Sequence, residues 1–133
     1  MMRVLALDYG SARCGCALSD PTGAIVTPIE PIFRPATRRG LQSLEALIRE
    51  RDVERVVVGL PLSLSGQDTR QTTEARAFAR RLADRLGAGI PVEMHDERFT
   101  TLMARRSADG GSAGEDSRAA AHLLEGWLAS RER

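Results

Sequence analysis

Two short apolar segments restrict the fold of this chain more than any other feature of its sequence. RVLALD (residues 3–8) and ERVVVGLP (54–61) carry hydrophobic residues at most positions, and both are too short to be buried helices. Segments of this kind are typical of strands that are covered on both faces, as in a sheet with helices on either side. The sequence therefore predicts a layered α/β fold.

Three further segments complete the predicted sheet. CGCALSD (14–20) predicts an antiparallel partner for the first strand, which it follows after the turn YGSAR (9–13). IVTPIEPIF (25–33) is rich in β-forming residues, but its two prolines cannot donate to a ladder and restrict it to an edge. IPVEMHDE (90–97) predicts a fifth strand.

Apolar residues at helical spacing predict helices over residues 37–51, with Thr37 as the N-cap, and over 71–86, where Gly87 ends the helix. The remaining part of the chain has a less regular pattern. Its predicted elements are a short helix from Thr100 or Thr101 to about Ser107, a flexible segment ADGGSAG (108–114) and a last helix from about Glu115 to about Arg131.

The order βββαβαβ followed by two helices is the layout of an RNase H-like domain. Such a domain has a mixed five-stranded sheet, with three antiparallel strands, then βαβ units, and helices on both faces. A length of 133 residues fits one domain, so we expect residues 1–133 to form a single unit. No run of ~18 uncharged apolar residues predicts a membrane helix, and no signal peptide is apparent, so the expected location is the cytoplasm.

Composition excludes some kinds of nucleic-acid binder. A net charge of +1 does not indicate a general polyanion binder, and 4% aromatic residues argue against a stacking platform for single-stranded bases. All 19 basic residues are Arg, which coding bias explains most simply, although Arg also suits bidentate phosphate contacts. Cys14 and Cys16 do not have the spacing of zinc ligands, so we expect them to be small buried hydrophobic residues.

Two aspartates occupy positions that call for an explanation. Asp8 ends the first strand, where the alternative role is to start a turn as Asp-x-Gly. Asp116 shares one side of the last helix with Ala120, Leu123 and Trp127, so its side chain is expected to face the sheet. The alternative role of Asp116 is an N-terminal cap. A buried carboxylate is costly unless it is paired or bound to a cation.

A third carboxylate comes from the end of the fifth strand. Asp96 and Glu97 lie on opposite faces there, and the residues alone do not decide which of them joins the two aspartates. Carboxylates about 5 Å apart would repel each other by roughly 3 kcal/mol per pair at an effective dielectric constant near 20. Such a cluster therefore requires cations, and oxygen ligands favour Mg²⁺ or Mn²⁺. Two such ions about 3.5–4 Å apart would activate water and stabilise the leaving oxygen of a phosphodiester.

Other catalytic motifs do not fit. GSARCG (10–15) matches the glycine spacing of a P-loop, but Cys16 stands where the lysine is required. His95 and His122 have no Ser or Cys beside them in the sequence, and we expect both to be structural or solvated.

Five segments resemble the YqgF/RuvX family of RNase H-like proteins, and they occur in the family's order. The resemblance implies an RNase H-like fold and a nuclease activity. Members are described as processing factors for the 5′ end of pre-16S rRNA in ribosome biogenesis, and also as Holliday junction resolvases in DNA recombination. The matching segments are LALDYGSARCGCALSD (5–20), VVVGLPLSLSGQDTRQT (56–72), ARAFARRL (75–82), DERFTT (96–101) and EDSRAAAHLLEGWL (115–128).

Residue by residue, the resemblance implies that Asp8, Glu97 and Asp116 are the catalytic acids and the ligands of the Mg²⁺ or Mn²⁺ ions. It also selects Glu97 over Asp96. One departure concerns the fourth strand, where better-known nucleases of this fold carry an acid. Here that strand ends in Gly59-Leu60-Pro61, with no carboxylate.

The expected partner is a structured RNA or a four-way DNA junction, with no membrane partner. A junction-cutting enzyme would be a homodimer, because two symmetric nicks need two sites. A catalytically silent RNA-binding module in ribosome maturation stays open as an alternative, whereas an actin-like ATP binder would need a much longer chain. The arginines expected to contact the nucleic-acid backbone are Arg13, Arg70, Arg76, Arg80 and Arg98.

Overall fold

The structure is a computed structural model that describes residues 2–97 and 112–131. No described helix is both long enough and apolar enough to cross a bilayer. The elements in chain order are β1 (Val4–Asp8), β2 (Arg13–Ser19), β3 (Val26–Phe33), α1 (Arg38–Glu50), β4 (Arg55–Leu60), α2 (Arg70–Leu86), β5 (Val92–Asp96) and α3 (Ser112–Arg131).

The five strands form one mixed sheet in the order β3-β2-β1-β4-β5. β1 pairs antiparallel with β2 and parallel with β4. β3 forms one edge, antiparallel to β2, and β5 forms the other edge, parallel to β4. The predicted mixed sheet is confirmed, and so is the edge position of the strand that carries Pro28 and Pro31. The side chains of each strand alternate between its two faces, which separates two layers of core.

One face of the sheet, called here the helix-pair face, packs against α1 and α2. Leu5 and Leu7 of β1 are fully buried there beside Phe78 of α2. Cys14 and Cys16 of β2 are buried on the same face as free thiols, as expected for small hydrophobic residues.

The opposite face, called here the α3 face, packs against the last helix. Val4 and Ala6 of β1 are buried there against Ala120, Leu123 and Trp127. The apolar stripe predicted from the spacing of these three helical residues is therefore confirmed. It also fixes which side of α3 lies against the sheet.

The ends of α1 and α2 follow the predicted signals. The Thr37 hydroxyl accepts a hydrogen bond from the Gly40 backbone N–H at 3.1 Å, which caps α1. Thr69 caps α2, and Gly87, with φ of 77°, ends it in a conformation that favours glycine.

α3 begins at Ser112, three residues before the predicted start. The prediction of a flexible segment over residues 108–114 is therefore wrong for 112–114, because a single Gly114 costs a helix only about 1 kcal/mol. Asp116 consequently lies in the second turn, beyond the N-terminal position from which it could cap the helix. Residues 108–111 and the short helix predicted before them lie outside the described residues.

Candidate active site at the carboxyl edge of the sheet

Strand alternation brings the predicted acids of β1 and β5 to the α3 face. Asp8 follows Val4 and Ala6 at two-residue spacing, so it points to the side that α3 covers. On β5, Met94 packs in the core of the helix-pair face. Asp96 therefore shares that side, while Glu97 lies on the α3 face with Asp8. Backbone geometry thus places Glu97, rather than Asp96, on the same face as Asp8.

Asp8 and Glu97 are in contact. Glu97 is only 8% exposed, and this burial raises its pKa to about 8, with further contributions from the negative charge of Asp8, a hydrogen bond to Asp8 and the charge of Asp96. A hydrogen bond between two carboxyl groups requires a proton on one of them, here Glu97. The metal-free pair therefore holds a proton at neutral pH, as expected of two acids that share one small space.

Gly59 makes room for this pair. It follows Val58, the parallel partner of Leu7, and so lies beside Asp8 in the sheet. A Cβ atom on Gly59 would collide with the carboxylate of Glu97, so that carboxylate occupies the space above β4. Glu97 thereby brings a carboxyl group over the one strand on which the sequence lacks the expected acid. A glycine inside an otherwise apolar strand was the available signal for such a close approach.

Gly15 has the same role on the other side of Asp8. It is the antiparallel partner of Asp8 in β2, and a Cβ atom there would collide with the backbone carbonyl of Asp116. Only glycine lets α3 come this close to the sheet. The two glycines therefore flank Asp8 and admit Glu97 from one side and the Asp116 segment from the other.

The side chain of Asp116 pairs with an arginine in this structure. Arg13 Nε donates to Asp116 Oδ2 at 2.9 Å, and both side chains are about one-third exposed. The backbone of Asp116 nevertheless lies against Gly15, the strand partner of Asp8. The pKa of the Cys14 thiol is raised mainly by burial and its hydrogen bond to Cys16, and the charges of Asp8 and Asp116 act in the same direction.

The expected convergence of three acids is therefore only partly seen. Asp8 and Glu97 are joined, while the charge of Asp116 is neutralised by Arg13. Within residues 2–97 and 112–131, no three Asp, Glu, His or Cys side chains are arranged so that they could hold a metal ion together. Sequence reasoning missed the ion pair because its members are 103 positions apart.

Ser117 anchors the start of α3 to the sheet. The ladder between β2 and β3 shifts register between Cys14 and Cys16, which leaves backbone groups without strand partners. The Ser117 hydroxyl donates to the Ile29 carbonyl at 2.6 Å and accepts from the Cys16 N–H at 3.5 Å. Ser117 is only 4% exposed. The sequence signal for this anchor was a hydroxyl residue on an otherwise apolar face of the helix.

Three of the other candidate arginines belong to α2. Arg70 opens α2 at the carboxyl edge of the sheet and is highly exposed, but α2 covers the helix-pair face. Arg76 pairs with Asp68 at 3.2 Å, and Arg80 is exposed ten residues into the helix, roughly 15 Å along its axis from the first turn. Arg98 lies outside the described residues.

Glu97 makes the stability of the metal-free chain depend on pH. Its pKa is about 8 when folded, against an ordinary value of 4.5, so between these values the folded chain holds one proton more than the unfolded chain. The stabilisation that protonated Glu97 contributes is complete below pH 4.5 and is lost as the pH rises through about 8. The free energy of unfolding should fall by about 1.4 kcal/mol per pH unit across this window.

Chemical denaturation in chelator, between about pH 5.5 and 8, measures this slope. Glu97→Gln should flatten it, whereas Glu50→Gln, an exposed change at the end of α1, should leave it unchanged. Equal slopes in all three proteins would contradict the assignment.

Comparisons with known proteins agree on one family. A model of the RuvX family, described as "Holliday junction resolvase", matches residues 2–130. A relative from Corynebacterium jeikeium (strain K411) is 40% identical over 138 residues, covering 98% of this chain and 88% of the relative. One from Anaeromyxobacter sp. (strain Fw109-5) is 41% identical over 137 residues, covering 98% of both chains. Each is named "Putative pre-16S rRNA nuclease".

Solved structures show the same fold at low sequence identity. Thermus thermophilus RuvC in complex with a Holliday junction substrate has a TM-score of 0.61 at 16% identity, covering 98% of this chain and 96% of that one. The fowlpox virus resolvase with Holliday junction DNA has a TM-score of 0.63 at 10% identity, covering 99% and 100%. The RNase H-like fold is thus shown, and the match over residues 2–130 together with relatives about 40% identical along nearly the whole chain shows that this protein belongs to the RuvX family.

Proposed function

We propose that this chain is a divalent-metal-dependent endonuclease acting on structured nucleic acid, and that it processes the 5′ end of pre-16S rRNA. The observation that carries the proposal is the contact between Asp8 and the buried Glu97 at the carboxyl edge of the sheet. This is where ligands bind in sheets with parallel central strands. The names of the relatives support a nuclease, and support RNA over DNA as its substrate.

The donor set fits Mg²⁺ or Mn²⁺. Both ions prefer carboxylate oxygens, and Asp8 and Glu97 already share a proton in a space where a cation would relieve the same repulsion. Asp116 is a further ligand once it is released from Arg13. When bound, the cations would supply the positive charge that activates water and stabilises the leaving oxygen.

The chain's own residues bind and orient the substrate. Arg13, released from Asp116, would hold a non-bridging phosphate oxygen through its guanidinium group. The carboxylates of Asp8 and Glu97 would hold the positively charged cations at the phosphate that is cut. Hydrolysis then forms a bond from phosphorus to the oxygen of a water molecule, which loses a proton to solvent, and breaks the bond to the leaving oxygen, which takes up a proton from solvent.

A Holliday junction resolvase is the second candidate, because the matching family model carries that description. This activity would need a dimer with two sites. A catalytically silent RNA-binding module is the third. It predicts binding of RNA that does not depend on the acids.

The test is cleavage in Mn²⁺ of a synthetic RNA spanning the 5′ end of pre-16S rRNA, beside a four-way DNA junction, with molecular mass measured in parallel. We expect the RNA to be cut, the junction to stay intact, and chelator to stop the reaction. Paired nicks in the junction by a dimer would establish the resolvase instead. RNA binding without cleavage in any divalent metal would leave only the silent module.

A further inference from the structure

We propose that Phe33 stacks on a nucleobase next to the phosphate that Asp8 and Glu97 act on, and so sets the position of the cut along the strand. The inference rests on the proposed nuclease function and adds a specificity-determining residue to the same site. It concerns a ring that neither the sequence motifs nor the charge pattern singled out.

The ladder between β2 and β3 places Phe33 at the site. Phe33 is the antiparallel partner of Arg13, and directly opposed residues in such a pair project from the same face of the sheet. Arg13 reaches Asp116 at 2.9 Å, so this face is the one that α3 covers. The aromatic ring is therefore the neighbour of the arginine expected to hold the phosphate.

The ring is exposed on a fixed backbone. Phe33 is 65% exposed, whereas Phe78 is 1% exposed and stacks on Tyr9 in the core. The backbone N–H of Arg34 donates to Ala12 O at 2.9 Å, so the strand stays paired up to its last residue. A large apolar ring held in this way loses little conformational freedom when a base packs against it.

The turn after Phe33 directs the chain away from the ring. Arg34 has φ of 47°, a left-handed conformation that ends β3, and its carbonyl accepts from the Thr37 hydroxyl at 2.7 Å. The following residues therefore leave the sheet edge at once. This leaves the outer side of the ring open to a flat ligand.

A nucleobase is the occupant that the surrounding charges favour. A guanidinium next to an exposed ring matches a nucleotide, with its phosphate on Arg13 and its base on Phe33. Low aromatic content excludes a platform for many bases, but one ring is enough to hold one nucleotide. Because stacking accepts every base, we expect it to fix position on the strand without reading sequence.

Binding is measured in the Asp8→Asn background with the synthetic pre-16S RNA, so that the probe stays intact. Phe33→Ala should weaken binding roughly tenfold, within the ~5- to 150-fold range of one base–aromatic stack. Phe33→Trp should restore it. Ile25→Ala is the matched control, since Ile25 is 63% exposed just before the other end of β3, and it should bind as the parent does. Neither alanine change should shift the unfolding midpoint.

Abasic substitutions in the RNA identify the contact. Removing the base at the stacking position should weaken binding to the Asp8→Asn parent but not to its Phe33→Ala derivative. In the chain that keeps Asp8, the same removal should spread the cut over neighbouring phosphates. If the losses in binding from the abasic RNA and from Phe33→Ala simply add, the proposal is overturned. It is also overturned if Phe33→Ala, in the chain that keeps Asp8, binds and cuts the RNA as the unaltered chain does. If the unaltered chain neither binds nor cuts the RNA, it is the proposed function that fails.

Discussion

Asp8→Asn should abolish Mn²⁺-dependent cleavage while leaving affinity for the RNA nearly intact. Asp8 is the central member of the site, because it contacts Glu97 and lies between the two glycines that admit the other acids. Asparagine keeps the size of the side chain but removes the charge that a divalent cation needs. We expect a loss above roughly 100-fold, since changing even the groups around metal ligands commonly costs 10–100-fold.

Single-turnover cleavage and equilibrium binding, measured on the same RNA, separate chemistry from affinity. Asp84→Asn, an exposed change far along α2, is the matched control and should cut at the parental rate. Cleavage by Asp8→Asn at the parental rate would remove Asp8 from the reaction. A parallel loss of binding and cleavage would assign it to substrate recognition.

Gly15→Ala should have the largest effect on folding. The new Cβ would collide with the carbonyl of Asp116 and contact the N–H of Ser117, which are backbone atoms of α3. A helix backbone cannot rotate away as a side chain can, so α3 must shift from the sheet and Ser117 must lose its hydrogen bond to Ile29. Overpacking of this kind typically costs about 1–3 kcal/mol or more.

Gly59→Ala provides the matched comparison. Its Cβ would meet the carboxylate of Glu97, the free end of a flexible side chain, with Leu123 at 3.3 Å as a lesser contact. We expect this variant to keep most of its stability and to lose cleavage, because the carboxylate must leave its place over β4. Denaturation curves and cleavage rates for both variants separate the expected loss of stability in Gly15→Ala from the expected loss of cleavage in Gly59→Ala. Parental stability in Gly15→Ala would show that α3 does not depend on this contact.

Local patterns were sufficient to predict the strands and the orientation of the last helix. Periodicity gave the strands within two residues. The stripe that ends in Trp127 oriented Asp116 toward the sheet. These inferences succeed because they depend on neighbours a few residues apart.

Long-range pairing could not be predicted in the same way. Whether Asp96 or Glu97 lies beside Asp8 depends on which residues of β5 pack against α1 and α2. The ion pair between Arg13 and Asp116 joins the second strand to the last helix. A helical pattern also showed Arg80 to be exposed without giving its distance from the acids. Such facts follow from tertiary packing rather than from spacing.

The order of the elements has a consequence for biosynthesis. Asp8 belongs to the first of the described elements and Asp116 to the last of them. A nascent chain on the ribosome therefore cannot possess the whole arrangement until α3 has emerged and docked over Gly15. An enzyme that cuts ribosomal RNA precursors would in this way remain inert until that helix is in place.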